Sequence, residues 1–330
     1  MRCPHLVESL LKRKLILLVP VVPVVVLIMF VGGIWDASNQ LLFPVWKGAT
    51  KDLAVCGPQA EADFGPGCGN LRTTQEFKFS EVKVPSVNGY DMPGWRVGAQ
   101  ENGMGAAQGA VMLIHGGGGD RRGETRYIRF FLARGLDVLT LDLGCHGEAP
   151  CPVPGLSYGH RESRDVLSAY LFLSADHQKV YAMGTSVGAA AILIALPQMP
   201  GLTAAVAENP MASFQRLILE SPAAPPSVPA WFMALLVDVT MLRGRFDGLL
   251  SPMQSLRFTR NTPIYFLHSK QDAVVPYRQT QELADSYAGP KTVWFPERGE
   301  HAALWDVDHA AYDKRMTDFL NSVADVKETQ

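Results

Sequence analysis

The sequence lacks an excess of either charge. Its 30 Lys and Arg face 32 Asp and Glu in 330 residues, a formal net charge of −2. Such a chain has none of the positive field on which nucleic-acid binders rely. Cysteine is also scarce. Five in a chain of this length exclude a small disulfide scaffold. None stands in a C-x-x-C pair or beside a well-spaced histidine, which argues against a zinc site. No glycine run ends in G-K-[ST], so a Walker phosphate loop is absent. There is no internal repeat, and 30 Gly and 23 Pro without a period exclude a collagen-like chain. Apolar residues, by contrast, make up 47%, far more than a disordered chain holds. The length fits one or two domains.

One long apolar run stands near the N-terminus. Leu15 to Ile34, LILLVPVVPVVVLIMFVGGI, carries no charge. As a helix it spans a hydrocarbon core of about 30 Å. Pro20 and Pro23 would kink a soluble helix but are tolerated in a membrane span. Lys12, Arg13 and Lys14 precede the run, and only Asp36 and an uncharged stretch to Lys47 follow it. The positive-inside rule then keeps the N-terminus cytoplasmic and exports the rest. A cleavable signal peptide has a shorter apolar region, roughly 7–15 residues, ending in small residues of the A-x-A type. VGGIWDAS offers no such site. A buried core helix would be shorter and would not carry the KRK flank. The expectation is a cytoplasmic segment 1–14, a transmembrane signal anchor 15–35, and a domain in the periplasm or a lumen. Cys56, Cys68, Cys145 and Cys151 fall on the exported side, where thiols pair. Three connectivities are possible, and the local pairs Cys56–Cys68 and Cys145–Cys151 are preferred.

Residues 36–76, rich in Pro, Gly and Ala, read as a linker and lead-in to a domain over 77–330. FKFSEVKV alternates as a half-buried strand does, Asn88-Gly89 marks a hairpin turn, and MPGWRV makes the second strand. AVMLIH is then a continuous apolar run, as in a strand buried on both faces. DVLTLDL, KVYAM, LTAAVAEN, TPIYFLH and KTVWF follow as strands. Helices lie between or after them, at about Thr125–Arg134, Tyr158–Ala175, VGAAAILIAL, Tyr277–Tyr287 and Ala310–Val326. This beat predicts a mostly parallel α/β sheet covered on both faces.

In such sheets ligands meet the loops at the carboxyl ends of the strands. After KVYAM comes Gly184-Thr185-Ser186-Val187-Gly188, a G-x-S-x-G between strand and helix, which forces a sharp turn with the Ser186 hydroxyl exposed. After AVMLIH come His115 and four glycines, whose bare backbone can bring N–H donors to an oxyanion. A dinucleotide fingerprint fits less well, although Asp142 lies about where its acid would be. After TPIYFLH comes Asp272, and one helix and one strand later His301. The order Ser186, Asp272, His301 is that of a hydrolase triad on an α/β sheet. Serine needs an imidazole to take its proton, and the imidazole needs a carboxylate to fix its tautomer. Asp272 has a rival role as a cap of the helix near Pro276. Asp142, Glu208 and Glu220 are weaker acids for the trio, and His309 is a rival to His301 set inside a predicted helix. His268 reads as structural, and His115 as shaping the glycine loop.

The segments VMLIHGGGGD, LTLDLGCHGEA, YAMGTSVGAA, FLHSKQDAVVP and PERGEHAALW, in this order over about 77–320, resemble the α/β-hydrolase superfamily. The likeness is to its membrane-anchored, short-capped serine hydrolases, in the esterase, lipase and thioesterase-like branch. The resemblance implies Ser186 as nucleophile, Asp272 as acid and His301 as base. It also implies an oxyanion hole from the N–H groups of Val187 and Gly117, with Gly116 as the alternative. It implies no metal and no cofactor. Cys145 and Cys151 are a departure, since they flank a loop that usually reads G-H-G without them. Some members keep most motifs and lose activity, whereas here all three triad positions are filled.

Between about 209 and 261 the strand–helix beat breaks. ESPAAPPSVPAWFMALLVDVTML is Pro-rich and then apolar, and resembles the superfamily's lid. Trp231, Phe232 and Leu235, with Met233 and Leu236, either line an acyl pocket or pack on the core. Asp238 interrupts the run, so it is no second span. The expected activity is hydrolysis of small-molecule carboxylic esters or thioesters, lipid-like or acyl substrates favoured, through an acyl-enzyme. A serine peptidase on the same fold would share every motif. A non-catalytic, membrane-anchored binding protein would keep the fold alone.

Overall fold

The computed structural model describes residues 4–43, 53, 56–58, 61, 64–222 and 227–328. Eight strands form one sheet: β1 (Ser80–Pro85), β2 (Asp91–Val97), β3 (Gly109–Ile114), β4 (Leu136–Leu141), β5 (Val180–Thr185), β6 (Ala204–Glu208), β7 (Ile264–Leu267) and β8 (Lys291–Trp294). Their spatial order is β1-β2-β4-β3-β5-β6-β7-β8. β1 and β2 form the antiparallel hairpin, turning at Gly89 with φ +87°. β2 runs antiparallel to β4, and every later pairing is parallel.

The continuous apolar runs become strands because the sheet is covered on both sides. Successive residues of β3 alternate between two cores. Ala110, Met112 and Ile114 enter one, and Val111 and Leu113 the other. β7 does the same, with Ile264 and Phe266 on one side and Tyr265 and Leu267 on the other. The first face is covered by the helices Glu162–Ser174, Val187–Ala195 and Tyr277–Ser286, through side chains such as Val166, Ile192 and Leu283. The second is covered by Ile128–Leu132 and His309–Glu328, through Phe131, Tyr312 and Phe319. Each fully buried Leu, Ile or Phe contributes about 1.5–3 kcal/mol, so the two cores dominate the stability.

The first helix, α1, runs over Pro4–Leu42. Its Val22–Leu42 portion is long and apolar enough to cross a membrane, and Val22, Ile28 and Met29 are exposed. It continues beyond residue 35, so the start of the expected linker is helical. Ile34, Ser38 and Leu42 are buried, a spacing that puts them on one helix face. The last turn of α1 enters a third core, Leu42 buried with Leu156, Tyr158, Phe214 and Val237 and Leu41 packed against them. The short helix α2 is Leu71–Thr74. In chain order the remaining helices are α3 (Ile128–Leu132), α4 (Glu162–Ser174), α5 (Val187–Ala195), α6 (Phe214–Glu220), α7 (Ala230–Gly244), α8 (Pro252–Ser255), α9 (Tyr277–Ser286), α10 (Leu304–Val307) and α11 (His309–Glu328). The cap insertion between β6 and β7 contains α6, α7 and α8. The structure pairs Cys56 with Cys68 and Cys145 with Cys151.

Candidate active site

Ser186 is the single residue between β5 and α5. Its backbone stands at φ 54°, ψ −115°, a conformation L-residues adopt only under constraint. The glycines on either side make that turn possible. A Cβ on Gly188 would stand 2.3 Å from the Ile114 carbonyl oxygen and 2.5 Å from that of His115. One on Gly184 would stand 2.8 Å from the Gly188 carbonyl carbon. The Ser186 N–H donates to the Glu208 carbonyl at 2.8 Å, which ties the turn to the end of β6.

The loops after β7 and β8 bring Asp272 and His301 to the same place. His301 Nε2 accepts from the Ser186 hydroxyl at 2.9 Å, and its Nδ1–H donates to Asp272 Oδ2 at 2.7 Å. Asp272 Oδ2 also receives Asn209 Nδ2 at 2.7 Å and His268 Nε2 at 3.0 Å. Asp272 Oδ1 receives the N–H groups of Val274 and Val275 at 2.8 and 2.9 Å. Those two bonds shape the entry into α9, so the carboxylate also orders the turn before that helix. Burial alone would push the Asp272 carboxyl up. The hydrogen bonds from His268 and His301 outweigh it and hold the group well below the usual carboxylate range.

The glycine loop runs past Ser186. His115 fixes its start: Nδ1–H donates to the Gly116 carbonyl at 2.7 Å, and Nε2 accepts from the Leu143 N–H at 3.1 Å. Both ring nitrogens are thereby engaged in structure. Gly117 lies against Val187 and Leu156, where a Cβ would come within 2.9 and 3.0 Å of their side chains. Val187 is the first residue of α5, where a backbone N–H has no acceptor inside the helix. The other acids sit elsewhere. Asp142 is buried on Arg121, accepting its backbone N–H at 2.8 Å and its Nη2 at 3.1 Å. Glu208 accepts from Tyr312 at 2.8 Å, and burial pushes its carboxyl up. Glu220 pairs with Arg216. His309 packs on the Trp305 ring, 3.7 Å between centroids. Among the described residues no group of three or more His, Cys, Asp or Glu could hold a metal ion.

No protein-family model matches the chain. The uncharacterized protein YqkD of Bacillus subtilis (strain 168) is 24% identical over 296 residues, which are 88% of this chain and 93% of that protein. Among solved structures, the esterase Pf2001 of Pyrococcus furiosus aligns with a TM-score of 0.62 at 17% identity, over 77% of this chain and 94% of its own. The alpha/beta hydrolase GrgF from Penicillium sp. sh18 aligns at 0.56 and 17%, over 74% and 99%. The chain has the α/β-hydrolase fold. In this α/β-hydrolase fold, two cavities meet at Ser186 and His301. The larger, of about 580 Å³, is mainly apolar and reaches Met211, Leu217 and Leu236. The smaller, of about 190 Å³, is walled by the glycine loop, Glu124 and Arg126.

Three contributors to the site do not stand out as such in the sequence. Asn209 and His268 are two of the five donors to Asp272; the meeting of β6 with β7 brings Asn209 there, while His268 stands on the same segment as the acid. By sequence His268 reads as structural; its spacing of four from Asp272 is the available signal. The third is α1, whose Ala37, Gln40 and Leu41 line the larger cavity. Of the candidate pocket residues, Trp231, Phe232 and Leu235 are not among those lining it, whereas Met233 and Leu236 of the same helix are. Helical geometry explains the difference. Trp231 and Phe232 face α1 and meet the Phe30 ring, each 5.9 Å between centroids.

Proposed function

We propose that the chain is a serine hydrolase of carboxylic esters or thioesters, held to a membrane by α1. The observation that carries this reading is the unbroken line from the Ser186 hydroxyl to His301 at 2.9 Å and on to Asp272 at 2.7 Å, opening on an apolar cavity. The Ser186 Oγ attacks the acyl carbon as its proton passes to His301 Nε2. The carbonyl oxygen becomes an oxyanion, received by the N–H groups of Val187 and Gly117, with Gly116 next in line. Donors so placed contribute about 10²–10³-fold each. His301 then returns the proton to the departing oxygen or sulfur, and the bond to that atom breaks. A water, deprotonated by His301, releases the acid and restores Ser186. Asp272 keeps the imidazole proton on Nδ1 and stabilises the imidazolium.

The apolar cavity takes the acyl chain, and the smaller cavity with Glu124 and Arg126 takes the leaving group. An acyl rather than a peptide substrate fits the larger cavity, because no charged side chain lines it among the described residues. The N-terminus is cytoplasmic, next to Lys12, Arg13 and Lys14. The catalytic domain is exported, in keeping with its two disulfides. The test is labelling by a fluorophosphonate probe. Wild type is expected to react covalently and Ser186→Ala not at all, with p-nitrophenyl ester hydrolysis lost in parallel. A folded wild type that stays unlabelled would refute the assignment.

A further inference from the structure

The cavity and the membrane helix share a wall. α1 is fixed to the catalytic domain at its last turn: the Leu42 carbonyl accepts the Leu156 N–H at 2.9 Å, and the Leu41 carbonyl accepts the Tyr158 hydroxyl at 2.9 Å. Leu156 and Tyr158 themselves line the larger cavity. Further along, the Arg243 guanidinium lies 3.5 Å over the Trp35 ring and donates to the Trp35 carbonyl at 2.8 Å. Phe30 meets Trp231 and Phe232 at the other end of α7. α1 and α7 therefore run side by side, Phe30 beside Trp231 and Leu42 near Gly244, where a Cβ would stand 2.7 Å from Leu42 Cδ2.

We propose that α1 and α7 form a passage from the bilayer into the acyl cavity, so that the substrate is a long-chain acyl lipid drawn directly from the membrane that holds α1. This rests on the serine-hydrolase and anchor reading above. Phe30 lies near the C-terminal end of the apolar run Leu15–Ile34, so it sits at the edge of the hydrocarbon, and Trp231 at the same level is 61% exposed. A large aromatic at that level suits the membrane interface. The first eight residues of α7, AWFMALLV, carry no charge. From Phe30 to the cavity-lining Ala37 is about 10 Å along α1, and from Trp231 to Leu236 about 8 Å along α7. An acyl chain thus passes from lipid toward Ser186 along the apolar first half of α7 and the α1 residues that face the cavity, with the Arg243 guanidinium held aside on the Trp35 ring.

The test uses the full-length protein in phosphatidylcholine vesicles. Lipid brominated in its acyl chains is expected to quench wild-type tryptophan fluorescence more than that of Trp231→Phe. Equal quenching would overturn the bilayer contact, whether or not the protein is an enzyme. Ala37→Trp is expected to lower the ratio of palmitoyl to butyryl umbelliferyl ester kcat/KM at least tenfold, and Ala37→Leu by less. An unchanged ratio in both variants, or equal losses on both esters, would overturn the shared wall. A wild type unlabelled by fluorophosphonate would instead count against the hydrolase assignment, leaving the quenching comparison to decide the bilayer contact.

Discussion

Replacing Asp272 by Asn tests the site most sharply, because the carboxylate accepts from five donors and an amide cannot. If the amide nitrogen faces His301, it takes the place of an acceptor. Nδ1 must then give up its proton to Nε2, and Nε2 can no longer take the proton of Ser186. If the amide oxygen faces His301, the nitrogen meets the N–H groups of Val274 and Val275, which now bond at 2.8 and 2.9 Å. Either orientation sets donor against donor in a buried place. The wrong tautomer should lower kcat/KM by about 10³–10⁴-fold, or about 4–5.5 kcal/mol at ~1.36 kcal/mol per tenfold. The lost charge-assisted bonds should also lower unfolding stability at pH 7 by about 2–3 kcal/mol. The Asp272 carboxyl is held below its ordinary value, so its contribution is present above the ordinary carboxylate pKa and fades as the pH falls through the lower, folded value. The stability gap between wild type and variant should therefore close with acid. Ester hydrolysis under single-turnover conditions gives the rate, and urea unfolding at pH 7 and pH 3 gives the stability. A folded Asn variant within tenfold of wild type would refute the reasoning.

Two other substitutions probe the frame around the site. Gly188→Ala puts a Cβ 2.3 Å from the Ile114 carbonyl, a backbone atom that cannot step aside; we expect a loss of about 2–4 kcal/mol in urea unfolding, and a loss under 0.5 kcal/mol would contradict the close approach of α5 and β3. Glu124 is pushed up from 4.5 to about 7 by burial and the nearby Glu208 carboxylate, against the opposing pull of Arg126. Wild type should thus lose up to about 3 kcal/mol as the pH rises from 4.5 through 7. Glu124→Gln should flatten that part of the pH–stability curve, and a slope equal to that of wild type would show that Glu124 does not cause it.

The sheet was legible because strands buried on both faces read as short apolar runs, and the turns between them carry Gly, Asn and Pro. Ser186, Asp272 and His301 could be named because each follows a strand at the end where ligands gather. The donors behind Asp272 were less legible. Asn209 acts through a pairing of β6 with β7 that no local pattern announces, and His268 offers only its spacing of four from Asp272. The extent of α1 was missed because Asp36, Ser38 and Asn39 look like a linker. Yet Ile34, Ala37 and Leu41 keep helical spacing across them. Within α7 every residue from Ala230 to Val237 is apolar, so the sequence holds no contrast to tell the face toward the cavity from the face toward α1. Only packing separates Met233 and Leu236 from Trp231 and Phe232.

The dipeptide at the end of β6 touches both ends of the hydrogen-bonded line from Ser186 to Asp272. Glu208 takes the Ser186 N–H through its carbonyl, and Asn209 gives its amide to Asp272. One strand end thus sets the separation of the proposed nucleophile and acid, and the cap insertion leaves the sheet at the same point. Lengthening, shortening or recomposing that insertion leaves that separation alone. Under the proposed function, a chain built this way can trade one substrate for another without resetting its chemistry.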